Sequence, residues 1–410
     1  MKALTLLLFF SILLFECKKT SDNEYDVDCL FAPFGLDGKL VITNQSGEVL
    51  DTLAIPNGLN SIHVSTSNQK PNTRLDFHMI YVIGNGLFDE NFCWVYSQLG
   101  VRNGAEVFFN PSRSSFPTNK FKPFVIKGIN SFITFYTEAS ELTFYQSFPS
   151  QQSIKGNFSF VNNQSILFRL QANGETQIRQ CYVSDSLIAA HDTLQLSWQD
   201  FKPQTVFKDI KHNFEYPFQY AFVTAVAPDF IHFAYIYNSI AENSNGGQPL
   251  QFSPSENLPQ AMNYDVFIQT DHSRIDKIFK PSEPIQLGER DLQVNSMGVQ
   301  GRKLNFGIQG DFDMLQVTGS KGDVGASGAT RSIYWQINGR PGDFNNLQIP
   351  EMNGVLPDWV SPITILDHGT VWAYRFDNLD YDQVQAGYPF RSDDPFALAR
   401  SGYTELWKEY

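Results

Sequence analysis

Along most of the chain, apolar and polar residues alternate in short runs. In LDFHMIYVI, Leu75, Phe77, Met79, Tyr81 and Ile83 occupy every second position. That period places one side of a β-strand against a core. KLVITNQSGEVLDTLAI holds two such runs around Gln45, Ser46 and Gly47, the signature of a hairpin. SFITFYTEASELTFYQSF repeats the pattern around Glu138, Ala139 and Ser140, and GNFSFVNNQSILFRLQANG around Asn162 and Asn163. Further runs follow as far as SIYWQING and TVWAYRFD, each bounded by Gly, Pro, Asn or Asp. Short strands with polar turns between them predict β-sandwiches. No pattern supports a helix longer than two turns. The best helical candidate is PFALARSGYTELWKEY, interrupted at Gly402.

Two polar stretches interrupt the alternation, Phe148 to Asn157 and Phe279 to Glu289. The pattern therefore predicts an all-β chain of two or three tandem sandwich-like domains. Their expected spans are residues 29–149, 150–285 and 286–410, the last with a short C-terminal helix.

The N-terminus reads differently. Lys2 precedes an apolar run, Ala3 to Phe15, which ends at Cys17-Lys18-Lys19 and a polar, acidic stretch. A membrane-spanning helix needs about 20 apolar residues, so this run is too short to span and fits the core of an export signal. No Ala-x-Ala site follows. Leu14 stands where a lipoprotein signal carries Leu, while Phe15 and Glu16 replace the small residues that normally precede the Cys. The stretch resembles a bacterial lipoprotein signal, and its Cys-Lys-Lys start is similar to the mature ends of lipoproteins from Bacteroidota-type bacteria. The resemblance implies a signal peptide over residues 1–16, acylation at Cys17 and a flexible tether over 17–28. It also implies a lipid anchor in the outer membrane, with the chain facing either the periplasm or the cell surface. The VITNQSGEVL hairpin resembles small Ig-like or carboxypeptidase-regulatory-like sandwiches. The Asp-Ser/Thr-Leu tripeptides at Asp51, Asp185 and Asp192 resemble an O-glycosylation signal of the same bacteria.

Composition sharpens this picture. Charged residues make up 18% of the chain, below the usual ~25%, while 36 Phe and 17 Tyr favour strands. Polar surface must come from Asn, Gln, Ser and Thr. A net charge of -13, with adjacent basic pairs only at Lys18-Lys19 and Arg302-Lys303, excludes nucleic acid as a partner. Beyond Cys17 the cysteines are Cys29, Cys93 and Cys181. An oxidising compartment would allow a Cys29–Cys93 disulfide, and buried free thiols are the alternative.

Candidate chemistry is sparse. Gly319, Gly322, Gly325 and Gly328 recur every third residue, too few for a collagen helix, and read as a glycine-rich loop. Asp377, Asp380 and Asp382 are close enough in sequence to share a calcium ion or to form a solvated acidic turn. Apart from calcium there, no cofactor is expected. Arg391 to Pro395 reads as a cap and turn. Asp76 and His78 share one strand face, read as a polar, solvent-facing side, and no GxSxG elbow accompanies them. Sugar sites use exposed aromatic faces. Trp335 alternates with Ile333 and Ile337 and is assigned to the core, as is the face of Trp372, Tyr374 and Phe376. Trp359, in LPDWVSP, is the candidate ligand-binding aromatic. The expected function is a non-enzymatic envelope lipoprotein presenting β-modules to a polysaccharide or another envelope protein. A glycan-binding lipoprotein of an outer-membrane nutrient uptake system and a β-rich hydrolase are the alternatives.

Overall fold

The fold is that of a computed structural model, which describes residues 25–409 except 32–36, 67–68, 71, 86–89, 110–119, 130–132, 138–141, 149–151, 173–176, 213–217, 241–249, 253, 255–257, 260–261, 289–291, 325–329, 346, 359–364, 367–368 and 389–395. The signal-like stretch, Cys17, Trp359 and residues 391–395 lie outside the described residues. The chain is all-β, with short α-helices at Asp185–Ala190, Tyr381–Gln385 and Ala397–Ser401 and 3-10 turns at Trp198–Asp200 and Pro341–Phe344 among the described residues. None of these is long and apolar enough to cross a membrane.

Sixteen strands form one hydrogen-bonded ladder. Part of it runs, in spatial order, through Asn263–Thr270, Ser273–Phe279, Tyr403–Glu409, Gly369–Phe376, Met314–Val324, Thr330–Gly339, Glu90–Val101, Leu75–Asn85 and Gly38–Asn44. Neighbours here are antiparallel except for the 330–339 and 90–101 strands, which run parallel. The last expected block is hydrogen-bonded to both others, through Ser273–Leu406 to Asp276–Tyr403 on one side and Arg331–Asn91 to Asn338–Gln98 on the other. Leu142–Phe148 pairs with Ser153–Phe160 across the first expected boundary.

Alternation decides which side chains meet. One face of the central strands carries Cys93, Val95, Leu99, Leu315, Val317, Ile333, Trp335, Ile337, Val371, Ala373 and Leu406 into a single core. Leu304, Phe344, Leu347, Ile349, Met352, Ile365 and Leu366 pack within the same cluster. Trp335 is 1% exposed, as its alternation with two isoleucines predicts. Near its end the opposite face is covered by a small sheet, in which Tyr25–Phe31 lies between Ser61–Thr66 and Ala105–Phe109. Tyr25, Val27, Cys29 and Phe31 point into that second core beside Phe77, Met79 and Tyr81.

Several expectations change. Residues 25–28, read as tether, are strand, because Tyr25 and Val27 begin an alternation that continues through Cys29 and Phe31. The Tyr25 hydroxyl also donates to the Val101 carbonyl at 2.8 Å. The Cys29–Cys93 disulfide is not formed. Both thiols are free, in cores on opposite faces of the same ladder, so the sheet lies between them. The hairpin at Gln45–Gly47 is present. The one at Asn162–Asn163 is instead a corner, because Ser153–Phe160 pairs within a four-stranded sheet while Gln164–Ala172 joins the long ladder. Phe158 and Phe168 meet edge to face across that corner, 5.5 Å between centroids. The strand pair expected around Glu138–Ser140 divides in the same way, Ile133–Thr137 pairing with Gln164–Ala172 and Leu142–Phe148 with Ser153–Phe160. Gly319 and Gly322 are strand rather than loop; a Cβ at Gly319 would stand 2.4 Å from the Ile365 carbonyl oxygen, so glycine lets that segment close on the sheet. The C-terminal helix is present over Ala397–Ser401. Gly402 ends it at φ 68°, and the chain returns to the ladder as Tyr403–Glu409.

Candidate functional site

The face opposite the main core forms, at the border of the small sheet, a cleft of about 470 Å³ lined in part by Phe108 and Phe109 of that sheet. Its floor comes from seven consecutive strands of the ladder, from Asn263–Thr270 to Glu90–Val101. Register aligns the floor residues in rows. Trp407 pairs with Trp372, Trp372 with Gln316, Gln316 with Asn338, and Asn338 with Gln98. A neighbouring row runs Gln269, Arg274, Glu405, Tyr374 and Met314. Both rows exist because residues two apart on a strand share a face.

The aromatic end is built from pairs. The rings of Trp372 and Trp407 lie 5.2 Å apart with planes inclined by 31°. Both are half-buried, so ring surface remains open to a ligand. The amide end is oriented by its own hydrogen bonds. Gln316 Oε1 accepts from Gln336 Nε2 at 3.1 Å and from the Tyr374 hydroxyl at 3.3 Å, while Asn338 Oδ1 accepts from Gln336 Nε2 at 3.3 Å. With these carbonyl oxygens engaged, the NH₂ groups of Gln316 and Asn338 have no partner among the described residues and are donors for a ligand.

Charge enters on one side. The Arg274 guanidinium sits 4.8 Å from the Phe267 centroid and 5.5 Å from that of Tyr403, held between two aromatic faces. Its Nη2 reaches Asp276 at 3.4 Å, and its Nε is buried without a partner among the described residues. Burial and the Glu405 carboxylate hold the Tyr403 phenol well above its ordinary range, so it stays a donor to Glu405 Oε2. Behind Arg274, burial and the charge of Asp276 push Asp265 well above the usual carboxylate range. One wall is made by Phe108, which lies against Gly387 so closely that a Cβ there would meet the ring at 2.6 Å. Gln385, on the Tyr381–Gln385 helix, lines the cleft beside it.

The acidic triad read as a calcium site is dispersed. Asp377 binds Lys277 Nζ at 2.6 Å. Asp380 caps the Tyr381–Gln385 helix, accepting from Gln383 N at 2.9 Å. Asp382 pairs with Arg102 and Arg340. Each carboxylate thus has a separate task, and among the described residues no three His, Cys, Asp or Glu side chains are placed to share a metal ion. Asp76 and His78 are buried rather than solvent-facing, because the main core covers their face. His78 bonds to Thr43 Oγ1 at 3.0 Å and Ser97 Oγ at 2.7 Å, and Ser97 Oγ also accepts from Trp335 Nε1 at 2.8 Å. Burial pulls His78 down to about 3. Asp76 accepts from Gly100 N at 2.8 Å, and burial pushes it up to about 7. His63 stays apart from His78, with its Nδ1 2.7 Å from Asp28.

The face of Trp372, Tyr374 and Phe376, assigned to a core from sequence, does pack in one, a small satellite cluster with Tyr381 and Tyr403, and its Trp372 and Tyr374 also line the cleft. Val371 and Ala373 join the main core. Sequence reasoning also missed Gln98, Gln316, Gln336, Asn338, Arg274 and Glu405. The available signal was a polar side chain between apolar neighbours, as at Gln316 between Leu315 and Val317, and Gln336 and Asn338 on either side of Ile337. Compared with known proteins, the chain matches no family model and no curated sequence.

Proposed function

We propose that this chain is a non-enzymatic glycan-binding protein of the bacterial cell envelope, held to the outer membrane by lipid at Cys17 and serving capture of a polysaccharide for uptake. The observation that carries the binding role is the in-register row of Trp407, Trp372, Gln316, Asn338 and Gln98. Stacked indoles match the apolar face of a sugar ring, and oriented amides match its hydroxyls. A glycosidase generally needs two carboxyl groups flanking the scissile bond. Among the described lining residues Glu405 is the only carboxylate, which favours binding over hydrolysis. The anchor rests on the resemblance of the N-terminal stretch to a lipoprotein signal.

Affinity electrophoresis of the chain from residue 18 onward through gels containing neutral polysaccharides tests the binding role. Retardation by at least one polysaccharide, abolished in Trp407→Ala, is expected; unchanged migration in every gel contradicts it. Metabolic labelling with a clickable fatty acid tests the anchor, with label expected on the full chain and absent from Cys17→Ala.

A further inference from the structure

Resting on the reading of the cleft as a glycan site, we propose that its ligand is a linear, neutral oligosaccharide laid across the strands, with about one sugar over each strand, rather than a single sugar or a compact branched one. The floor sets this shape. The row from Trp407 to Gln98 crosses five adjacent strands. Neighbouring strands lie ~4.8 Å apart, so the row is about 19 Å long. A pyranose advances by slightly more than one such interval along an extended chain, so the row accommodates about four sugars. The cleft of about 470 Å³ is lined from seven strands, an extent across the sheet that a single sugar would not fill.

The chemistry along the track changes in order. At one end the paired indoles offer a stacking platform. Beyond them Gln316 and Asn338 present NH₂ donors at successive strand intervals, where an extended chain would present hydroxyls at a similar repeat. The row itself carries no charged side chain, which fits a neutral chain. A peptide is disfavoured because the floor is the face of strands already paired on both sides, leaving no edge for strand addition.

Isothermal titration of the chain from residue 18 onward with linear gluco-, galacto-, manno- and xylo-oligosaccharides, monosaccharide through hexasaccharide, tests this. Affinity for the preferred series should rise at least tenfold from monosaccharide to tetrasaccharide and then level off. Trp407→Ala should weaken every length. Gln98→Ala, or Asn338→Ala should the first variant melt at markedly lower temperature, should weaken the longer chains and leave the disaccharide unchanged. A monosaccharide binding as tightly as a tetrasaccharide overturns the extended ligand while leaving the glycan reading intact. Equal weakening of all lengths by Gln98→Ala and Asn338→Ala overturns the layout across the strands. No binding by any member of the series, together with no retardation in any polysaccharide gel, overturns both.

Discussion

Trp372 stands directly across the ladder from Trp407, with ring centroids 5.2 Å apart, on the face turned away from the main core. Two half-buried indoles side by side on a sheet are costly surface unless something covers them. Trp372 also packs against the satellite core, whereas Trp407 is not part of it. Trp407→Ala is therefore the cleaner probe. It should cost about 2 kcal/mol of binding, near thirtyfold in Kd, with little change in melting temperature. Titration calorimetry beside a thermal melt separates the two effects.

Trp335 occupies the other face of the same ladder and has the opposite role. It is 1% exposed, and its Nε1 donates to Ser97 Oγ at 2.8 Å. Trp335→Phe leaves a void and removes that donor, and should cost about 3 kcal/mol of stability. Its urea midpoint should fall clearly, while glycan affinity of the folded fraction stays unchanged.

Asp76 and His78 oppose each other in their response to pH. His78 lies near 3 when folded against an ordinary 6.5, so the unfolded chain binds more protons between those values. Its contribution is present above about pH 6.5 and is lost as pH falls toward 3. Asp76 lies near 7 when folded against an ordinary 3.8, so the folded chain binds more protons there. Its contribution is present below about pH 3.8 and is lost as pH rises through 7. Each slope is at most about 1.4 kcal/mol per pH unit. Relative to wild type, His78→Gln should gain stability on acidification from neutral pH, and Asp76→Asn should lose it. Urea midpoints measured from about pH 4 to about pH 7 should diverge in opposite directions for the two variants; parallel curves would contradict the assignment.

Asp265 carries a related liability. Burial and Asp276 together raise it well above the carboxylate range, so the folded chain holds a proton there that the unfolded chain releases. Stability from this group is present at low pH and is lost as pH rises from about 4. Asp265→Asn keeps a neutral side chain of similar shape and should raise the urea midpoint at pH 7 more than at pH 4. Asp276→Asn should lower it, because Arg274 loses its carboxylate partner.

Strand periodicity was legible because each strand faces a core on at least one side. In SIYWQING the inward face was evident, since Ile333, Trp335 and Ile337 alternate with Tyr, Gln and Asn. In TVWAYRFD both faces pack against a core, and nothing in the sequence showed that the larger side chains join a satellite cluster beside the cleft while Val371 and Ala373 join the main core. The main core there takes the small Val371 and Ala373, because Ile365 and Leu366 already share that cluster. The cleft was illegible for a different reason. Gln98, Gln316, Asn338, Trp372 and Trp407 come from five strands, and only the long-range register, including a parallel pairing, sets them in one row. The burial of His78 was hidden in the same way, because Thr43 and Ser97, which satisfy its ring nitrogens, lie on two other strands. Tyr25 and Val27 were readable in principle, but Asp26 and Asp28 beside them extend the acidic stretch that resembles a tether.

A glycan bound on the open face of the ladder would cover the Trp372–Trp407 pair. The ¹⁵N-indole NMR spectrum of the chain, assigned by single Trp→Phe variants and recorded during titration with the preferred oligosaccharide, reads that contact. Saturable shifts of the Trp372 and Trp407 indole signals are expected, with Trp335 unmoved on the far side of the sheet. Saturable shifts confined to other tryptophans, or a spectrum unchanged by every oligosaccharide tried, would contradict binding at the pair.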